Sequence, residues 1–180
     1  IYNAACPWRS RTGRTIAVIA NGEIYNYREL RDELVTLGHQ FTTQSDTESI
    51  VHAFEEWDSD CVHRLRGMFA FAVVESLNDA CSGSWHLGGR DGGTGHSSIR
   101  RLFLARDRLG VKPLYFYHKK GVILFSSEVK ALLRSELVPR HISRAGLYSY
   151  MAYGSVQDPL TMVSDVYSLS PGHRITIDLR

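Results

Sequence analysis

The sequence predicts an α+β domain, and three observations lead to that class. An apolar run at residues 15–20 has the length and composition of a buried strand. Two later segments, 27–37 and 47–57, place apolar residues at helical spacing. Between residues 101 and 125, short β-like runs are separated by tight turns, as in an antiparallel meander of three strands. These patterns indicate helices and antiparallel strands without choosing the number of layers.

The composition is that of an ordinary globular domain. The chain has 180 residues, of which 43% are hydrophobic and 22% charged, and its formal net charge is +2. No stretch of Lys and Arg is dense enough to form a stripe for nucleic acid, and no apolar run reaches transmembrane length. The three cysteines, Cys6, Cys61 and Cys81, are an odd number without metal-ligand spacing. We therefore expect a cytoplasmic protein without a nucleic-acid or membrane partner.

The two predicted helices carry start and stop signals. The first, at 27–37, is followed by Gly38, a residue type that commonly ends a helix in the left-handed conformation. The second, at 47–57, is preceded by Ser45 and contains Glu48, which together make a capping-box pattern.

The sequence of residues 66–100 predicts a buried strand followed by a loop. A near-continuous apolar run at 66–75 indicates a strand covered on both faces. Residues 78–100 are rich in glycine and predict a flexible inserted loop. They do not predict a phosphate-binding loop, because a strand rather than a helix follows them. In this loop Cys81, His86 and His96 could ligate a metal, but a solvated loop is the simpler interpretation.

The second half continues with a charged turn and further short elements. We interpret Arg106, Asp107 and Arg108 as structural charge pairing near a sheet end. The remaining predicted elements are a brief helical piece at 60–65, helices at 126–133 and 143–153, and a last strand at 174–179.

The residues after the first strand have the composition of a binding site. Asn21, Gly22 and Glu23 are expected at the mouth between strand and helix, where side chains stay reachable on a fixed backbone. A side-chain amide beside an accessible backbone N–H can form an oxyanion hole, and a carboxylate can hold a substrate ammonium. The alternative is a plain strand–turn–helix, since Asn-Gly is a common turn pair and Asn26 with Glu29 makes a capping pattern.

Asp46 is expected at the start of the second predicted helix. A carboxylate in this position is favoured by the helix dipole, and from the residues alone this is the preferred interpretation.

Residues 21–27 resemble the glutamine-binding motif of class II glutamine amidotransferase domains, in particular those of glutamine-hydrolysing asparagine synthetases. The run from Ser45 to Glu48 is similar to the family's second glutamine-binding motif, and residues 102–133 and 170–173 also resemble this family. The resemblance implies the four-layer αββα fold of N-terminal-nucleophile hydrolases. It also implies hydrolysis of L-glutamine by an N-terminal cysteine, whose own α-amino group acts as the base.

The resemblance assigns roles to four residues. Asn21 and Gly22 would stabilise the oxyanion, while Glu23 and Asp46 would bind the amino-acid end of L-glutamine. No metal or cofactor is implied in this domain. ATP and Mg²⁺ would belong to a synthetase domain, own or separate, that receives ammonia and amidates aspartate; a homodimer is left open.

The chain departs from the family pattern at its start. It begins with Ile1 rather than cysteine, and Cys6 is too near Asn21 to be the nucleophile. We therefore expect residues 1–180 to be a partial amidotransferase domain, incomplete at the N-terminus and inactive as such, without the synthetase domain. The alternatives are a non-catalytic binding module of amidotransferase type, or a glutaminase-like scaffold domain of a related amide-forming synthetase.

Overall fold

The structure is a computed structural model, and it describes residues 3–10, 13–76, 99–119 and 121–179. The chain divides into two compact units. The first comprises Ile1–Gly67, Phe71–Leu104 and Ile175–Arg180, and the second comprises Met68–Ala70 and Ala105–Arg174. No helix in the described ranges is both long enough and apolar enough to cross a membrane.

Strands and helices follow each other in groups along the described residues. In order they are β1 (Asn3–Arg9), β2 (Thr15–Ile24), α1 (Tyr27–Thr36), α2 (Asp46–Trp57), a 3-10 helix (Asp58–His63), β3 (Gly67–Ser76), β4 (Ile99–Arg106), β5 (Tyr115–Lys119), β6 (Val122–Ser126), α3 (Val129–Arg134), α4 (Arg144–Tyr153), β7 (Val166–Ser168) and β8 (Arg174–Asp178).

A five-stranded sheet has the order β1-β2-β3-β4-β8. β1 pairs antiparallel with β2, from Asn3 opposite Ala20 to Arg9 opposite Thr15. The sequence analysis missed β1, because residues 3–9 lack the alternation of apolar and polar side chains by which strands are recognised. β3 is buried along most of its length, so the prediction of a strand covered on both faces is confirmed.

The first helix, α1, begins and ends as predicted to within a residue. Its buried residues are Leu30 and Leu34. Leu37, the last apolar residue at helical spacing in the predicted segment 27–37, is 42% exposed because it lies past the end of the helix. Gly38 follows with a φ of 92°, which a residue with a side chain rarely adopts.

The second helix, α2, is capped, but not by a full capping box. The Ser45 hydroxyl accepts a hydrogen bond from the Thr47 N–H at 3.2 Å. Glu48 does not reach back to Ser45; its carboxylate accepts hydrogen bonds from the backbone N–H groups of Thr42 and Thr43 at 2.6 and 2.7 Å. The predicted reciprocal box is therefore wrong, since the preceding segment offers Glu48 two nearer donors.

A second sheet has three strands in the order β6-β5-β7. β5 pairs antiparallel with β6 and with β7. The predicted three-strand meander is thus wrong: β4 belongs to the five-stranded sheet, and only β5 and β6 form the expected hairpin. β7 was missed because three residues carry too short a pattern. A core around Tyr117, Leu132, Val138 and Val166 lies under this sheet.

The turn after β4 is held by side chains that bind backbone. The Asp107 carboxylate accepts hydrogen bonds from the N–H groups of Leu109, Val111 and Lys112 at 3.0–3.1 Å. The Arg106 guanidinium donates to the carbonyls of Lys112 and Gly110, among other acceptors. The role is structural, as expected, but these bonds run to main-chain atoms rather than between the charged side chains. Of the predicted loop, Ile99 and Arg100 belong to β4, and residues 78–98 lie outside the described residues.

Candidate functional site

Asn21, Gly22 and Glu23 lie inside β2, which extends to Ile24. The sequence analysis expects them after the strand. The strand is longer than its apolar run because backbone pairing does not require apolar side chains. The described part of β1 begins opposite Ala20, so the last four residues of β2 lie beyond it.

The side chains of Asn21 and Glu23 share one face of β2, since successive residues of a strand alternate. Asn21 is half-buried and Glu23 is exposed. Val18 and Ile24, on the other face, are at most 2% exposed and belong to the core. The core therefore fixes β2 from one face while the amide and carboxylate remain accessible on the other.

Two glycines shape the backbone around Glu23. Gly22 has a φ of 142°, in the region that favours glycine. Gly67, the first residue of β3, has a φ of 152°. A Cβ on Gly67 would lie 2.1 Å from the carbonyl oxygen of Glu23, so no side chain fits there. The backbone of β3 thus lies directly against the motif and fixes the Glu23 carbonyl.

The turn after β2 is held by the side chain of Asn26. Its Nδ2 donates to the Arg64 carbonyl at 2.9 Å, and its Oδ1 accepts from the Arg66 N–H at 2.9 Å. The Tyr25 N–H also donates to the Arg66 carbonyl at 2.7 Å. Asn26 is the N-cap residue of α1, but the alternative capping pattern with Glu29 is not formed, because the Asn26 side chain makes no cap hydrogen bond and instead binds the segment that leads into β3.

Asp46 is brought to the end of the motif. It is the first residue of α2, and its Oδ2 accepts a hydrogen bond from the Ile24 N–H at 2.9 Å. Ile24 directly follows Glu23, so both carboxylates lie at the same end of β2. Asp46 is therefore a carboxylate at a helix N-terminus, and its side chain binds the residue that follows Asn-Gly-Glu. A shared ammonium ligand with Glu23 stays a prediction.

Two residues of this site were missed by sequence reasoning. Gly67 could have been found, because a lone glycine in a strand pattern often marks a close backbone approach. No sequence pattern indicated the bridging role of Asn26, since its partners Arg64 and Arg66 are 38 and 40 residues further along the chain. The assignment of Asn21, Gly22, Glu23 and Asp46 to glutamine binding stays a prediction.

Comparison with known proteins identifies the family. A family model described as a glutamine amidotransferase domain matches residues 3–134, and a second model with the same description matches residues 96–180. The chain is 38% identical over 174 residues, or 96% of its length, to glutamine-hydrolysing asparagine synthetase 3 of Bacillus subtilis (strain 168). It is 42% identical over 120 residues, or 66% of its length, to a probable glutamine-hydrolysing asparagine synthetase of Dictyostelium discoideum.

Two solved structures share the fold. One is an allosteric regulatory enzyme of purine biosynthesis, with a TM-score of 0.58 and 18% identity over 96% of this chain and 28% of that one. The other is the glutamine phosphoribosylpyrophosphate amidotransferase of B. subtilis, with a TM-score of 0.52 and 16% identity over 97% of this chain and 31% of that one. These likenesses confirm the predicted α+β fold of N-terminal-nucleophile hydrolases.

The chain spans 24% of the Bacillus subtilis synthetase and 18% of the Dictyostelium one, so it corresponds to about a quarter or less of either relative. The family models nevertheless cover the chain almost from end to end. The chain therefore belongs to the glutamine amidotransferase family, as a class II domain of the kind found in glutamine-hydrolysing asparagine synthetases.

Proposed function

We propose that this chain forms the glutamine-binding part of a glutaminase domain, which releases ammonia from L-glutamine for an ATP-dependent synthetase. The observation that carries the proposal is the 2.9 Å hydrogen bond from the Ile24 N–H to Asp46 Oδ2. It ties the start of α2 to the residue after Glu23, as two acidic groups around one ammonium require.

The two ends of glutamine call for different partners. The α-ammonium is a cation, and the paired carboxylates of Glu23 and Asp46 would attract it, with Asp46 Oδ1 free to turn toward it while Oδ2 holds Ile24. The side-chain amide becomes an oxyanion during hydrolysis, and the Asn21 amide with the Gly22 N–H would donate hydrogen bonds to it. The placement of Asn21 and Glu23 on one face of β2 supports this division.

The remaining parts of the reaction are proposed from the family. A cysteine thiolate would attack the amide carbon, with its α-amino group as base, and ammonia would leave. Ammonia would then amidate aspartate at a separate site that uses ATP and Mg²⁺, as the family resemblance implies. Cys6, Cys61 and Cys81 are each joined through their own nitrogen to a preceding residue, so none of them carries a free α-amino group. For the 180-residue polypeptide by itself we propose binding without hydrolysis.

Nuclear magnetic resonance with added L-glutamine tests the binding site. We expect the amide signals of residues 21–24 and 46–47 to shift in a saturable way, and D-glutamine at the same concentrations to shift them far less. Glu23→Gln should weaken the apparent affinity about tenfold, because one of two charges on the ammonium is lost.

Glu29→Gln is the matched control. Glu29 is an exposed glutamate in the first turn of α1, close in sequence to Glu23 but outside the proposed site. This variant should bind like the parent. Absence of saturable shifts, or equal weakening by the two substitutions, would contradict the proposed site.

A further inference from the structure

Three side chains of metal-ligating type converge beside α2, away from the glutamine-binding residues. They are His39, which follows α1, and His52 and Glu55 on α2. The side chains of His39, His52 and Glu55 are 1%, 0% and 4% exposed. Two imidazoles and a carboxylate therefore meet in a place with little access to bulk water.

The three ligand atoms have the spacing of a coordination site. His39 Nδ1 lies 3.1 Å from His52 Nδ1 and 3.5 Å from Glu55 Oε2, and His52 Nδ1 lies 3.9 Å from Glu55 Oε2. A triangle with these sides has a circumscribed radius of about 2 Å, which matches the usual Zn–N and Zn–O distances of about 2.0–2.2 Å. One ion can therefore contact all three atoms without moving them.

Glu56 determines which nitrogen of His39 carries the proton. His39 Nε2 lies 3.0 Å from Glu56 Oε2, so in a neutral imidazole the proton is on Nε2 and Nδ1 presents a lone pair. That lone pair faces a carboxylate oxygen, which also offers only lone pairs. The same Nδ1 lies 3.1 Å from His52 Nδ1, so its lone pair can either accept a hydrogen bond from that ring or ligate a metal ion.

The surroundings favour a metal ion. A carboxylate that accepts the distal N–H of a ligating histidine is the usual outer partner in zinc sites, and Glu56 has that position. The rings of Trp8 and Phe41 pack against His52 with centroids 4.6 and 4.4 Å away, which keeps bulk water from its ring faces. A dry shell of this kind strengthens the binding of a cation by its ligands.

We propose that His39, His52 and Glu55 bind one divalent transition-metal ion of the zinc class. Two imidazole nitrogens with one carboxylate suit Zn²⁺, whereas Mg²⁺ and Ca²⁺ prefer oxygen ligands alone. The ion ties the segment between the helices to the middle of α2. It thereby stabilises the stretch that leads to Asp46, without a part in the chemistry at the glutamine site.

Metal titration of the purified chain tests the proposal. After chelation and buffer exchange, the protein should take up one equivalent of Zn²⁺, measured by elemental analysis, and its melting temperature should rise with the metal concentration. Co²⁺ in place of Zn²⁺ should give visible absorption bands of a low-coordinate site. Glu55→Gln, which keeps the side-chain shape, and His39→Gln should each reduce the affinity at least a hundredfold.

Two controls separate this site from other ligands. His63→Gln changes an exposed histidine on the 3-10 helix and should leave uptake unchanged. The triple variant Cys81→Ser, His86→Gln, His96→Gln removes the ligand-type side chains of residues 78–98 and should also retain the ion. Failure to bind one equivalent, loss of the ion in the triple variant, or unchanged binding in folded Glu55→Gln and His39→Gln would overturn the proposal; circular dichroism establishes that both are folded.

Discussion

Asp46 serves the fold and the proposed site with the same carboxylate. Its bond to the Ile24 N–H is charge-assisted and partly buried, and such bonds are worth more than neutral ones. Because one oxygen is sufficient for this bond, the charge itself is left to act on a ligand. Structural and binding contributions of the residue can therefore be separated by substitution.

Asp46→Ala should lower the free energy of unfolding by about 1.5 kcal/mol, because the Ile24 N–H loses a charged acceptor. Asp46→Asn keeps an acceptor oxygen and should lose less than half as much. Urea denaturation of the three proteins measures both values. Both variants should bind L-glutamine weakly, and equal stability losses in the two would show that the charge rather than the hydrogen bond stabilises the fold.

Gly67 lies so close to the Asn-Gly-Glu segment that no side chain fits at its position. Gly67→Ala places a methyl group against the Glu23 carbonyl at a φ of 152°, and should cost about 3 kcal/mol or more of unfolding free energy. Gly121→Ala is the control, since Gly121 also has a positive φ, 74°, but open space around its Cβ position. It should cost about 1 kcal/mol. Thermal unfolding followed by circular dichroism compares them, and a similar loss in both would refute the steric account.

Among the elements, α2 is attached to the segment before it through Glu48. Burial by itself would raise the pKa of Glu48, but hydrogen bonds from the backbone and hydroxyl groups of Thr42 and Thr43 outweigh it and lower that pKa from 4.5. The folded state therefore binds the proton less readily than the unfolded state. Because the pKa of Glu48 is lower in the folded state than in the unfolded state, its contribution to stability is lost at low pH.

The contribution should be complete above pH 4.5, the unfolded-state pKa, and should disappear as the pH falls through the lower folded-state value. Glu48→Gln removes this titration, so its unfolding free energy should fall less steeply below pH 4.5 than that of the parent protein. Asp58 also has a lowered pKa, because hydrogen bonds from Arg101 and Ser59 outweigh burial, but it acts in both proteins. Parallel urea titrations from pH 6 to 3 would contradict the role of Glu48 if the two curves had the same slope.

For the whole molecule, sheet membership is the feature that local patterns described least well. β4 and β5 follow each other along the chain but pair in different sheets. Periodicity reports which residues prefer a pleated, half-buried environment, and it carries no information about the neighbouring strand. The strands between residues 101 and 125 were therefore predicted correctly as strands, but they were assigned to the wrong sheet arrangement.

The 180-residue polypeptide by itself should release no glutamate from L-glutamine above a heat-killed control. The chemical step needs a thiolate with an adjacent α-amine, and Cys6, Cys61 and Cys81 all have their nitrogen in a peptide bond. Catalysis without the proper nucleophile is slower by several orders of magnitude. The assay should include Cys6→Ser, the one variant that removes a thiol from β1. If the unsubstituted polypeptide releases glutamate steadily and Cys6→Ser abolishes that release, Cys6 is the nucleophile and the prediction is wrong.

By itself, the sequence determined the class, most elements and the family, because helical spacing, apolar runs and the Asn-Gly-Glu segment are local patterns. It also drew attention to Asn21, Gly22, Glu23 and Asp46. Only the tertiary structure decided that Asp46 bonds Ile24, 22 residues away, and that the backbone of Gly67 rests on Glu23. Such contacts join residues that are distant in the chain, and their geometry arises from packing, which no short stretch of sequence encodes.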